Sequence, residues 1–155
     1  MATTLNADTS TGGFIATGDA SGDLGLQADG TTLATLSGSK VLFEGGIGEE
    51  YVAVTSTSNA TTVDLDTATN FSHTLTENTT FTFSNPVASG RASSFTLKIV
   101  QDASASGFTV TWPAAVDWPG GTAPTLTATA SAVDQFVFYT HDAGTTWYGF
   151  VAGQD

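Results

Sequence analysis

The side chains able to do chemistry are few in this chain, and their spacing limits what they can do together. Its two histidines are His73 and His141. A zinc site or catalytic dyad needs further ligands at set intervals, and the chain holds no His-x-x-x-His, no His-Glu-x-x-His and no cysteine. His73 falls between Phe71 and Leu75 on one side of an alternating run, which reads as a hydrogen-bonded core or interface residue. His141, with Asp142 and Gly144, reads as a hairpin turn. Asp64 and Asp66 share a face along a short expected strand, and Asp19 and Asp23 lie in a glycine-rich loop. Such oxygens suit Ca²⁺, but no EF-hand or nonapeptide repeat organises them, so they read as solvated carboxylates. No pair of acids is singled out for glycoside hydrolysis, and there is no phosphate loop, dinucleotide fingerprint or nucleophile elbow. No metal or cofactor is expected, and the chain reads as a building or binding module rather than an enzyme.

Trp112-Pro113 and Trp118-Pro119 stand six residues apart around a long connection. An indole face there suits stacking on a sugar ring or gripping a partner, with Trp118 the contact. The same spacing also suits Trp112 ending a core strand and Trp118 plugging the end of a sandwich, with the prolines stiffening the crossover.

These residues need a scaffold, and composition bounds it. The 155 residues suffice for one main domain with a short extra arm. Charged residues are 12% against a usual ~25%, so Thr, Ser, Ala, Asn and Gly must cover the surface, which suits extensive protein contacts. Lys40, Arg91 and Lys98 face fifteen acids, for a net charge of −12. Binding to nucleic acid needs clustered cations, so nucleic acid is excluded as a direct partner. No apolar stretch approaches ~18 residues and no basic-then-apolar start is seen, so neither membrane span nor secretion signal is expected.

Threonines alternate with aromatic and aliphatic residues along the second half, the period-two signature of antiparallel β-structure. Strands are expected at Tyr51–Ser56, Thr62–Asp66, Phe71–Leu75, Thr79–Phe83, Ser94–Gln101, Phe108–Trp112, Thr125–Thr129, Asp134–Thr140 and Thr146–Ala152. Eight or nine short strands with frequent turns point to an all-β, sandwich or jelly-roll-like domain over residues 49–155. Residues 1–48 form an N-terminal arm. Asp29-Gly30 sets a hairpin between Leu24 and Leu36, Val41–Phe43 is a further strand, and Gly45–Gly48 is a linker. No fixed-period solenoid repeat is evident.

Alternation also assigns faces. Phe71, His73 and Leu75 share one, as do Phe81 and Phe83, then Phe95, Leu97 and Ile99, then Phe108, Val110 and Trp112. The closing hairpin differs. Phe136, Phe138, Trp147 and Val151 oppose Val137, Tyr139, Tyr148 and Phe150, so both its faces carry apolar bulk and both must be covered. The N-terminal arm, a loop or a second subunit can supply one layer; of these a subunit interface built on Phe136, Val137, Phe138, Tyr139, Trp147, Tyr148 and Phe150 is expected, each buried aromatic contributing roughly 1.5–3 kcal/mol.

The ordered string Asn70–Pro86, Phe95–Asp102, Val110–Pro113, Trp118–Pro124 and Gly144–Phe150 resembles a β-module of tailed-bacteriophage virion proteins, notably phages of aquatic bacteria including cyanobacteria. Leu24–Leu36 also looks like the β-repeats of phage fibre stalks. The resemblance implies a trimeric, all-β, non-enzymatic virion component, at the end of a tail fibre or on the capsid surface; a 155-residue chain with only a short arm and no long stalk is expected on the capsid, as a decoration or cement protein. Its partners would be two further copies and the major capsid protein, the latter met through Leu5, Phe14 and Ile15 of the arm. The alternative it implies is a fibre module that recognises host-surface glycan through Trp118 or Tyr139.

Overall fold

The computed structural model describes residues 24–28, 31–36, 41–43 and 45–155. Leu5, Phe14, Ile15, Asp19, Asp23 and the Asp29-Gly30 pair lie outside them. The chain divides into two compact units, residues 1–48 and 49–155. In the first, β1 (Leu24–Ala28), β2 (Thr31–Leu36) and β3 (Val41–Phe43) form an antiparallel sheet in that order. Pairing of β1 with β2 runs from Leu24 opposite Leu36 to Ala28 opposite Thr31, the two strands expected to flank the turn. β3 is exposed along its length.

The second unit contains no α-helix; one short 3-10 turn, Pro119–Gly121, is its only helical element. Its strands are β4 (Tyr51–Ala53), β5 (Ala60–Asp64), β6 (Asn70–Thr74), β7 (Thr79–Ser84), β8 (Ser93–Val100), β9 (Val110–Thr111), β10 (Val116–Asp117), β11 (Val133–Thr140) and β12 (Trp147–Gly153). A six-stranded sheet runs β10-β12-β11-β8-β6-β4 and a three-stranded one β5-β7-β9. Between β4 and β9 the chain steps back and forth between the two sheets, and strands that become neighbours there are parallel. The path is a flattened coil of three turns. β11 then returns antiparallel along β8, β12 returns along β11, and β10 joins β12 in parallel.

The chain is therefore all-β and sandwich-like, as alternation predicts, but antiparallel ladders between strands of this unit are confined to β8, β11 and β12. Pleating gives parallel and antiparallel strands the same period of two. A parallel neighbour needs a long crossover, and here a strand of the opposite sheet serves as that crossover. Thr125–Thr129, expected as a strand, joins no ladder. The Thr127 amide and hydroxyl donate to the buried Asp134 carboxylate at 2.7 and 2.8 Å, and Gln154 Nε2 donates to the Thr125 carbonyl at 2.8 Å, so side chains take the bonds a ladder would make. Asp64 ends β5 and Asp66 falls in the turn beyond it, so the two acids do not share a strand.

The core lies between the sheets. Phe71, Leu75, Phe95, Leu97, Ile99, Phe136, Phe138 and Trp147 of the large sheet's side meet Val63 and Phe81 of the small one, with Phe83, Phe108, Val110 and Trp112 packed against them. Every strand face that alternation assigned inward is buried or half-buried.

Candidate interaction face

The hairpin β11–β12 carries the residues expected at an interface, and the structure divides them. Phe136 and Phe138 are wholly buried and Trp147 is 2% exposed. They belong to the chain's own core, so as contacts to another subunit they are corrected. Val137, Tyr139, Tyr148 and Phe150 point the other way, with Val137 opposite Phe150 and Tyr139 opposite Tyr148. Tyr139 is 38% and Phe150 47% exposed, while Val137 and Tyr148 are half-buried. Val151, expected under cover beside Phe136, is 44% exposed. β10 flanks β12 only at Trp147 and Tyr148, so among the described residues no strand of the sheet lies on the side of Val151 away from β11.

His141 sits in the turn, as its neighbours predict, but its ring joins the outer strip. It lies parallel to Tyr148 at 6.1 Å and 5.9 Å from Tyr139. The sequence signal was there in Tyr139-x-His141, since residues two apart point the same way. Asp142 fixes the turn by accepting from the Thr140 hydroxyl at 2.8 Å and the Thr146 amide at 3.0 Å. Ala143 and Gly144 then take positive φ of 58° and 77°.

Trp118 is 7% exposed, its ring 5.6 Å from Phe138 and 6.0 Å from Phe136. It plugs the sandwich, and its expected role as a glycan or partner contact is corrected accordingly. Trp112 stacks on Phe81 at 5.5 Å.

Further along the same outer face runs a shallow groove of about 360 Å³, lined in part by Tyr51, Asn70, Thr96, Lys98, Gln135 and Val137. Thr96 Oγ1 donates to Asn70 Oδ1 at 2.7 Å, and Asn70 Nδ2 donates to Glu49 Oε2 at 2.6 Å. Among the outward positions of β6, β8, β11 and β12, Lys98 alone is charged. On β10, Asp117 sits beside Tyr148 and adds one acid, so this face is sparsely charged for a chain of net charge −12.

The candidate chemical residues are tied into structure. His73 is buried; its Nδ1–H donates to the Val54 carbonyl at 2.9 Å and its Nε2 meets the Thr79 hydroxyl at 3.3 Å. Among the described residues no three His, Asp or Glu side chains converge as metal ligands would. Three carboxyls lie below their ordinary range. For Asp64 the causes are bonds from the Asn85 side chain and the Asp66 amide, and for Asp142 the bonds of its turn. For Asp102, burial pushes upward but is outweighed by bonds from Ser106 and Ser104.

A folded-state pKa below the unfolded one contributes stability at higher pH and loses it as pH falls through the folded value. The urea midpoint is thus expected to hold level from about pH 7 to 5 and to drop below about pH 4. Asp142→Asn should shallow that acid drop; an unchanged slope would remove Asp142 from the account.

No protein-family model, curated protein or solved structure matches this chain.

Proposed function

We propose that this chain is a structural protein of a bacteriophage particle, a homotrimeric decoration protein that stabilises the capsid shell. The observation that carries the reading is the apolar strip of Val137, Tyr139, Tyr148 and Phe150, half-buried to exposed, on a sheet face whose outward strand positions carry only two charges, Lys98 and Asp117. The resemblance of residues 70–155 to phage virion modules supplies its context. Three copies set their strips about a three-fold axis, and the arms, residues 1–48, reach neighbouring subunits, the major capsid protein among them. Apolar burial and main-chain pairing supply the cohesion, since three cations leave little scope for salt bridges. The role is mechanical, not catalytic.

Light scattering is expected to give three times the chain mass of 15.8 kDa. Joint replacement Tyr148→Ser and Phe150→Ser should weaken association at least about a hundredfold while leaving the β-type circular dichroism intact. A monomeric wild-type chain would sink the reading, as would labelling of the tail rather than the capsid surface by antibody. The grouping of the Tyr139, His141 and Tyr148 rings favours a second reading, a fibre module whose aromatic strip binds host-surface glycan. Glycan retention lost in Tyr139→Ala would favour it over the first.

A further inference from the structure

Two charges flank the apolar strip, and they are of opposite sign. Lys98 projects from β8 on one side and Asp117 from β10 on the other. Asp117 lies abreast of Tyr148, Tyr139 and Ser94, so Lys98 is three strand spacings across and four residues along from it. At the usual strand spacing and rise that separation is about 20 Å, too far for the two to pair within one chain. Val137 and Phe150, directly opposite each other, stand midway between them.

Each charge has surroundings suited to a partner. Lys98 is half-buried, and its flexible four-carbon stem carries a compact ammonium that can reach off the sheet. Asp117 is exposed and lines a pocket of about 370 Å³ together with Pro119, Gly120, Gly121, Tyr148 and Phe150. The two glycines bring no side chain to fill it. Tyr148 and Phe150 offer apolar surface to a lysine stem and a ring face to its ammonium, and Asp117 offers the countercharge. The acid that borders the same sheet face near Val137, Glu49, is already bonded: its Oε2 accepts from Thr69 Oγ1 at 3.0 Å and from Asn70 Nδ2 at 2.6 Å.

We infer that Lys98 of one copy seats in this pocket of the next copy and pairs there with Asp117. The inference rests on the self-association proposed above and gives it a direction, because the contact joins one flank of the strip to the other. A rotation axis crossing the strip between Val137 and Phe150 repeats that heterologous contact around a closed ring, with the apolar side chains inside it. Complementary charges fix register and suppress wrong orientations, which an apolar strip by itself does not.

Salt cannot isolate the pair, because it also screens the repulsion between copies of net charge −12. Charge exchange can. Lys98→Asp and Asp117→Lys are each expected to weaken association at least about tenfold, and both in one chain to restore it to within about threefold of wild type. The double exchange keeps the net charge at −12, whereas Asp117→Lys by itself lowers the overall repulsion, so net charge cannot explain weakening by that variant. Glu49→Gln is the control and should not weaken association; circular dichroism checks the fold of every variant. The inference is overturned if Asp117→Lys strengthens association or leaves it unchanged, or if the double exchange associates no better than the weaker single variant.

A second readout needs no substitution. A carbodiimide joins an ammonium to a touching carboxylate as an amide, the reagent taking up the elements of water. In isotope-labelled and unlabelled wild-type chains refolded together, it is expected to link Lys98 of one label to Asp117 of the other. Linkage of Lys98 to Glu49 in place of Asp117, or to Asp117 only within one label, would overturn the pairing. Light scattering on the wild-type chain separates the two levels: an oligomer in which the exchanges show no coupling removes the Lys98–Asp117 contact alone, whereas a monomer removes the self-association as well.

Discussion

Phe138→Ala is expected to lower the unfolding free energy by about 3–5 kcal/mol, a large share of the roughly 5–15 kcal/mol that holds a typical domain together. Phe138 is wholly buried at the middle of β11, where the two sheets face each other. Its ring lies 4.9 Å from Phe95 in a stacked arrangement and 4.8 Å from Phe83, which reaches across from the small sheet. Trp112 at 5.5 Å and Trp118 at 5.6 Å close the remaining sides. Aromatic pairs in such offset and edge-on geometries add to the burial of area, and rings held on several sides cannot collapse into a cavity. A denaturant midpoint measured at fixed protein concentration is the readout, since association adds to apparent stability. A cost below about 1 kcal/mol would mean that the ring is less enclosed than its neighbours imply.

Gly149→Ala is expected to cost about 1–3 kcal/mol through overpacking. A Cβ at Gly149 would stand 2.8 and 2.9 Å from two carbons of the Trp118 ring and 2.9 Å from Val116 Cγ1. Trp118 cannot retreat, because Trp112, Phe138 and Phe136 lie behind it at 5.4, 5.6 and 6.0 Å. Gly149 is therefore the floor on which the indole rests. The clash should largely vanish in a Trp118→Ala background, itself about 3–5 kcal/mol less stable, so the two substitutions are expected to be strongly non-additive. Gly153→Ala, on the same strand in open space, is the matched control and should be near neutral. Additive costs at Gly149 and Trp118 would show that the indole is not what the glycine accommodates.

The sequence disclosed where strands lie better than how they are joined. Phe95, Leu97 and Ile99 alternate cleanly because one face of β8 is core and the other is open. The coil went unseen because its turns are unequal. Tyr51, Asn70 and Thr96 lie abreast at offsets of 19 and 26 residues, and Ala60, Thr80 and Thr111 at 20 and 31, so no fixed period marks the repeat. β10 is two residues long and has no pattern to detect. The division of the hairpin's aromatics was half legible: alternation separated Phe136 and Phe138 from Val137 and Tyr139, but only the position of the small sheet shows which set faces inward. Asp134 gave no signal at all, as its burial depends on Thr127 arriving from a segment that the pattern took for a strand.

The strand directions within the large sheet also decide how the domain bears load. β4, β6, β8, β12 and β10 all run one way and β11 alone runs back. The chain enters β4 at one edge and leaves β12 near the other, at the opposite end of the strand axis. Tension applied between Glu49 and Gly153 is therefore directed along the strands, across hydrogen bonds that lie perpendicular or slanted to them. Those bonds resist in shear and must give way together, whereas a sheet pulled from one end opens bond by bond. A subunit tethered by its two ends would act as a strap, with its resistance to rupture set by the topology of the coil.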